Sequence, residues 1–372
     1  MSNTQKKNVP ELRFPGFEGE WEEKKLGDII KVNSGKDYKH LDKGDIPVYG
    51  TGGYMTSVSE PLSEIDAVGI GRKGTINKPY LLEAPFWTVD TLFYCTPKKE
   101  TDILFILSLF RKINWKVYDE STGVPSLSKQ TINKINRFVP TNKEQQKIGE
   151  FISKLDRQIE LEEQKLELLQ QQKKGYMQKI FSQELRFKDE NGNDYPDWTN
   201  ERLGEVTTVT MGQSPKSVNY TDNSNDTVLI QGNADIENGL INPRIYTREV
   251  TKLIQKDEII LTVRAPVGKL AMAQINACIG RGVCSIKGDK FLYYFLEWFA
   301  TQNKWIRFSQ GSTFESISGN DIRNIHIKIP VEDERTKIIK LLNSLDVLNS
   351  KTDLKIQNLK QRKQSLLQKI FV

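Results

Sequence analysis

Gly69-Ile70-Gly71-Arg72-Lys73-Gly74 has the residue types and spacing of a dinucleotide-binding turn. In such a turn the glycines let the backbone approach a pyrophosphate, which rests on the N-terminus of the next helix, and an acidic residue about 20 positions on takes the ribose. Asp90 is suitably placed, but Pro79 and Pro85 follow the glycines, so no helix N-terminus can receive a pyrophosphate there. The corresponding stretch further on, Val263-Arg264-Ala265-Pro266-Val267-Gly268-Lys269, lacks the glycine pattern. What both share is a basic residue and a glycine turn: Arg72 and Lys73 with Gly74, Arg264 and Lys269 with Gly268. Such a turn can bring cations up to an anion such as a phosphate. An exposed hairpin with solvated charges would have the same composition.

A second shared feature is a run of small hydroxyl residues around glycine, at 121–128 (with Thr122) and at 310–318 (with Ser312 and Thr313). These side chains can bond phosphates or base edges, and plain loops also contain them. Lys36, Tyr38 and Lys39, with Lys216 and Tyr220 in the later half, follow the first strand-like run of each half and are weaker candidates. Several constellations are absent from the sequence. There is no Gly-x4-Gly-Lys-Ser/Thr loop for a nucleoside triphosphate, and no Asn/Asp-Pro-Pro-aromatic tetrad of the amino-methyltransferase kind. His40 and His326 stand far apart, and Cys95, Cys278 and Cys284 form no Cys-x-x-Cys, so neither a zinc cluster nor a Ser–His or Cys–His pair is expected. The pattern favours a binder over an enzyme, with reduced thiols and no metal.

The elements that position these turns occur twice. Leu12-Arg13-Phe14 returns as Leu185-Arg186-Phe187, and Trp21 with Leu26-Gly27 returns as Trp198 with Leu203-Gly204. Residues 126–181 return without a gap as 316–371, with about a third of positions identical. The period, roughly 190 residues, is that of a whole domain followed by a long helix. The 372 residues suffice for two cores, the net charge of +6 permits a polyanionic partner without requiring one, and no apolar run is long enough to cross a bilayer.

After Pro140, Thr141-x-x-Glu144 has the form of a capping box. Apolar residues then recur at steps of four and three: Ile148, Ile152, Leu155, Ile159, Leu166, Leu169, Tyr176, Ile180. The second copy gives Ile338, Leu342, Leu345, Ile356, Leu359, Leu366 and Ile370. Polar residues interrupt the seams at Glu162 and Lys173, and at Asn349, Thr352 and Lys363, which suits register control. Each helix is predicted at ~55 Å, and an antiparallel pair with one globular domain at each end is the compact solution. Packing of each helix on its own domain alone is the duller alternative.

Within the domains, strands are predicted at 29–32, 46–49, 91–95, 206–210, 228–231, 259–263 and 283–286, and amphipathic helices at 102–115 and 290–305. The aromatics of those helices (Phe105, Phe110, Tyr293, Tyr294, Phe295, Trp298, Phe299) lie at core spacing. The expected architecture is mixed α/β: residues 1–140 a first recognition domain, 141–183 a spacer helix, 184–330 a second domain, 331–372 a second spacer helix. The two domains would lie at opposite ends of the helix pair, related by a pseudo-twofold internal repeat. Segments 28–71 and 205–263 differ by about 15 residues in length and share little, as two readers of different sequences would.

Taken together, the Leu-Arg-Phe and Trp/Leu-Gly anchors, the basic-glycine turn, the Gly123–Ser128 run and the Pro140-to-Ile148 helix opening resemble the specificity subunit of a type I restriction–modification enzyme over essentially the whole chain. The second copy departs at Glu334-Arg335-Thr336-Lys337, where that family usually has Glu-Gln. The resemblance implies a non-catalytic cytoplasmic subunit whose two domains each read half of a bipartite, asymmetric double-stranded DNA target. Two modification subunits would bind S-adenosylmethionine and methylate adenine at N6, and restriction subunits would use ATP and magnesium; this chain would hold no cofactor. The DNA contacts would come from Lys36, Tyr38, Lys39, Arg72, Lys73, Thr122, Lys216, Tyr220, Arg264, Lys269, Ser312 and Thr313, with Arg72, Lys73, Arg264 and Lys269 foremost. A ~55 Å spacer corresponds to at most about 16 base pairs of duplex axis, so a fixed unread gap is expected. Two other readings compete: a methyltransferase fused to a reader, and a coiled-coil adaptor that bridges two copies of a protein partner without DNA readout.

Overall fold

The computed structural model describes residues 8–302, 304–305 and 316–372. The chain forms two compact units, one reaching to Gln164 and including Asp353–Val372, the other Lys165–Thr352.

Each unit opens on the repeated anchor. In the first, Glu22–Lys25 pairs antiparallel with Asn136–Val139 and runs directly into a one-turn helix, Leu26–Ile29. In the second, Thr199–Arg202 pairs with His326–Ile329 and runs into Leu203–Val206. Asp28 and Glu205 close these turns by accepting the N–H of Lys25 (3.0 Å) and Arg202 (3.2 Å). That local bond explains a correction: the strands expected from 29 and 206 begin at Ile30 and Val209, because an acidic residue at the third helical position winds the preceding residues into helix. Trp21, Leu26, Trp198 and Leu203 are buried, so the repeated motif is a core anchor.

The same four-stranded antiparallel order follows in both. It reads Ile30–Ser34, Leu92–Pro97, Ala67–Gly71, Tyr80–Leu82 in the first unit, and Val209–Met211, Val283–Ile286, Ile259–Thr262, Leu270–Met272 in the second. A second sheet is built on a parallel pair, Ile46–Gly50 with Trp87–Thr88 or Thr227–Ile230 with Ala277–Ile279. The first unit adds Gly53–Val58 to it. The second adds Tyr220–Thr221, Tyr246–Thr247 and Leu253–Ile254, and carries a separate hairpin, Ile236–Glu237 with Leu240–Ile241. The copies therefore share one sheet and diverge in the other, where the extra length lies.

The apolar helices Ile103–Lys112 and Lys290–Thr301 are N-capped by Asp102 and Asp289, whose carboxylates accept from Phe105 N–H (2.8 Å) and Leu292 N–H (3.2 Å). Phe105, Phe110, Tyr294, Phe295 and Phe299 are buried, and Tyr293 and Trp298 pack on the same core, so these aromatics build the interior.

The long helices are Asn142–Phe181 (40 residues) and Glu332–Ile370 (39 residues), or ~60 Å each. In the first unit Ile148 and Ile152 share a core with Leu367, Ile370 and Phe371; in the second Met177, Ile180 and Phe181 share one with Ile338, Leu342 and Leu345. Each domain thus packs against the beginning of one helix and the end of the other, and within each unit the two helix segments run antiparallel. Ion pairs bind them within each unit: Glu162–Lys355 (2.5 Å), Glu163–Lys360 (2.6 Å) and Asp156–Lys363 in the first, Lys173–Asp346 (2.7 Å) in the second.

Candidate nucleic-acid interface

Ala67–Gly71 is buried throughout and delivers Arg72 to the surface. There Arg72 N–H donates to Thr91 O (2.8 Å), and Arg72 O accepts from Leu127 N–H (3.0 Å). Lys73 forms a β-bridge with Ser126. The second unit repeats this: Val263 N–H donates to Gly282 O (2.9 Å), Val263 O accepts from Ile317 N–H (2.9 Å), and Arg264 bridges Ser316. The basic turn and the hydroxyl-rich run, separate in sequence, are therefore sewn together in both domains. The backbone bonds also fix the register between copies. Lys73 corresponds to Arg264, and Arg72 to Val263, one position away from an alignment made by charge.

In the first unit Lys36, Lys39, Arg72, Lys73 and Thr122 are exposed, and the Arg72 guanidinium lies 5.9 Å from the Phe93 ring centre. Lys36 follows Gly35, where the chain passes against its neighbour so closely that a Cβ would lie 2.0 Å from Val89 O. Gly212 makes the same approach in the second unit, 2.1 Å from Gly280 O. Tyr38 packs on the small cluster of Val48, Val58 and Trp87, so its ring belongs largely to that core.

In the second unit Arg264 and Tyr220 line one cleft of about 440 Å³ with Ser214, Gln231, Asn233 and Arg281. Lys216 is exposed; its N–H (3.0 Å) and the Asn219 amide (2.6 Å) donate to Glu249, and these bonds hold the Glu249 carboxyl below its ordinary range. Lys269 turns inward, its Nζ donating to Asn233 O (3.1 Å) and Ile236 O (2.5 Å). Ser312 and Thr313 lie outside the described residues.

Sequence reasoning passed over two residues. Asp119 Oδ1 accepts from Ser121 N–H (3.0 Å), Ser121 Oγ (2.9 Å) and Ser126 N–H (2.9 Å), and so shapes the run that carries Thr122. The Ser126 and Ser121 N–H groups hold its carboxyl below the usual range. Its Asp-x-Ser spacing is an Asx-turn signal that could have revealed it. Arg281, alone between Gly280 and Gly282, carries no such signal.

Exposed cations beside hydroxyl-rich backbone can neutralise phosphates and donate to acceptors on base edges. Among the described residues no cluster of His, Cys, Asp and Glu could hold a metal ion, and no helix is long and apolar enough to cross a membrane. Burial pushes the thiols of Cys95 and Cys284 up, the latter to about 12, which suits packing and not nucleophilic chemistry.

Twin domains thus share one sheet, differ in the other and place a basic residue at the same bridge, Lys73 in one and Arg264 in the other. The chain belongs to the family described as type I restriction modification DNA specificity domain, whose model matches it twice, at residues 18–171 and 195–361. It is similar to a Methanocaldococcus jannaschii protein assigned as the type I restriction enzyme MjaX specificity subunit, with 30% identity over 261 residues, 66% of this chain and 61% of that protein. It is also similar to the MjaVIII specificity subunit of the same organism, 25% identical over 312 residues, 77% of this chain and 71% of that one. The crystal structure of a type I restriction–modification S subunit from M. genitalium covers 98% of this chain and is itself covered to 99%, with a TM-score of 0.70 at 16% identity. A chain from a study of complex assembly and conformational transition of the type I system covers 94%, is covered to 97%, and has a TM-score of 0.58 at 20% identity. These likenesses are of fold.

Proposed function

We propose that this chain is the DNA-reading subunit of a type I restriction–modification complex, each domain recognising one half of a bipartite, asymmetric target. The observation that carries this is the paired turn: Lys73 bridged to Ser126 and Arg264 bridged to Ser316, on matching sheets whose neighbouring strands differ. A common frame presents different surfaces, as two unlike half-sites require. Arg72, Lys73 and Arg264 set the phosphate register, while side chains on the flanking loops meet base edges in the major groove.

The chain itself is non-catalytic. Two modification subunits dock on the outer faces of the long helices and methylate adenine at N6 from S-adenosylmethionine; restriction subunits supply the ATP- and magnesium-dependent steps in the cytoplasm. The helices set the length of the unread gap. The test is to map methylated adenines in the genome of a host carrying this chain with its modification subunits. A gapped motif of two unlike parts, lengthened when one heptad is inserted into both helices, is expected. Methylation without sequence preference, or with one continuous motif, would overturn the reading.

A further inference from the structure

The backbone bonds that match the two domains also match a four-residue turn. In the first unit Leu92 N–H donates to Val89 O (3.0 Å), and in the second Val283 N–H donates to Gly280 O (3.2 Å). Both turns link the second sheet to the first, since Trp87–Thr88 and Ala277–Ile279 precede them and Leu92–Pro97 and Val283–Ile286 follow. Both hold the basic turn by the third residue's carbonyl, Thr91 O to Arg72 N–H and Gly282 O to Val263 N–H. The register is thus unambiguous, and the second residue of the turn is Asp90 in one domain and Arg281 in the other. The same corner carries opposite charge.

Both side chains are exposed, and among the described residues no hydrogen bond or ion pair holds either of them. Arg281 lines the cleft that Arg264, Gln231 and Asn233 also line. Asp90 stands next to Thr91, whose carbonyl takes the N–H groups of Arg72 (2.8 Å) and Lys73 (3.3 Å). A carboxylate on this edge cannot sit on a phosphate, because like charges repel. If the edge meets DNA, the partner left for it is an amino group, N4 of cytosine or N6 of adenine, which a carboxylate accepts from in the major groove. The guanidinium at the matched corner has the complementary requirement, two acceptors in a plane, which guanine O6 and N7 provide.

We propose that Asp90 and Arg281 are matched base-reading residues, Asp90 selecting an amino-bearing base in one half-site and Arg281 a guanine in the other. This rests on the proposed function above and adds which corner discriminates and for what chemistry.

The test uses the full chain assembled with its modification subunits and a pool of random duplexes, with the retained DNA sequenced. Wild type is expected to select two unlike half-sites. Arg281→Gln should lower the guanine preference at one position of one half-site about tenfold or more and leave the other half-site as it was. Asp90→Ala should relax one cytosine or adenine position in the opposite half-site, and Asp90→Arg should convert that position to guanine. The proposal is overturned if both half-sites survive these changes intact, or if affinity falls evenly over all sequences, as loss of a phosphate contact would cause. A wild-type complex that selects no two-part motif overturns this proposal together with the function on which it rests.

Discussion

Arg13 grips Glu144 across 131 residues: Nε and Nη2 donate to the two carboxylate oxygens, each at 2.8 Å. The repeat reproduces the fork, Arg186 Nε and Nη2 donating to Glu334 at 3.1 and 2.7 Å, with Trp198 Nε1 adding a third bond at 2.9 Å. Glu144 and Glu334 are buried and stand in the first turn of each long helix. The duplicated Leu-Arg-Phe motif therefore clamps the arm preceding each domain to the helix that leaves it. Glu144, expected to reach back to Thr141 as a capping box, is drawn instead to the stronger partner, since a planar bidentate bond to a guanidinium outweighs one to a neutral amide.

Removing Arg186 leaves the buried Glu334 carboxylate without its counter-charge, held only by the neutral N–H groups of Trp198 and Phe187. Arg186→Ala should destabilise the second unit by about 3–5 kcal/mol. Arg186→Lys should recover only part of that, because one ammonium cannot replace the planar fork. Urea midpoints of the full chain with unit-specific probes measure both; an Arg186→Ala chain as stable as wild type would show the clamp to be ornamental.

A second polar device interrupts the helix seam. Lys173 Nζ lies 2.7 Å from Glu297 and 2.7 Å from Asp346, whose other oxygen accepts from Tyr294 OH at 2.7 Å. Burial alone would lower the lysine pKa, but Glu297 and Asp346 together raise it above the ordinary 10.5. Its contribution is therefore full below pH 10.5 and lost as pH rises through the higher folded value. Lys173→Met would leave the two carboxylates facing each other. The cost should be about 1–3 kcal/mol at pH 7, reduced from the fully buried range because Glu297 and Asp346 keep 34% and 36% side-chain exposure. Burial already raises the Glu297 pKa. Without the lysine, burial and the facing Asp346 should hold the Glu297 carboxyl higher still than in wild type, so lowering the pH from 7 towards 5 should restore more stability to this variant than to wild type. Thermal melts at the two pH values decide it.

These seam residues also show what was legible. The period of 190 turned Lys173 into Lys363, and the structure pairs the latter with Asp156 as it pairs the former with Asp346. Repeat, helix lengths and buried aromatics were readable because each rests on periodicity that many residues share. The site was less readable because single bonds decide it. Lys269 has the same composition cue as Lys73, but two backbone carbonyls consume its ammonium group. The two- and three-residue strands at Trp87–Thr88 and Tyr80–Leu82 are too short to show a pattern, and the backbone bonds that align Lys73 with Arg264 join residues far apart in sequence.

Asp119 provides a test of how the first domain's hydroxyl-rich run is held. Its folded carboxyl is held low by the N–H groups of Ser126 and Ser121, so its hold is complete above the ordinary 3.8 and fails as pH falls through the lower folded value. Asp119→Ala should speed amide exchange at Ser121 and Ser126 and weaken DNA binding, with amide exchange in Ile103–Lys112 unchanged. Unchanged exchange at Ser126 would mean that the bridge to Lys73 alone orders the run.

The salt dependence of DNA binding separates the cations that touch phosphate from those that hold the fold. Each lost phosphate contact lowers the slope of log K against log salt by about 0.9. Arg72→Ala and Arg264→Ala, both exposed and without an ion pair among the described residues, should each reduce the slope by roughly that amount. Lys269→Met should not change the slope, because its Nζ is bound to Asn233 O and Ile236 O; its cost should appear in the melting temperature of the second unit. Filter-binding titrations from 50 to 200 mM salt, run beside thermal melts, resolve the two classes. A slope change for Lys269→Met equal to that for Arg264→Ala would place Lys269 on the DNA after all, released from its carbonyls when the complex forms.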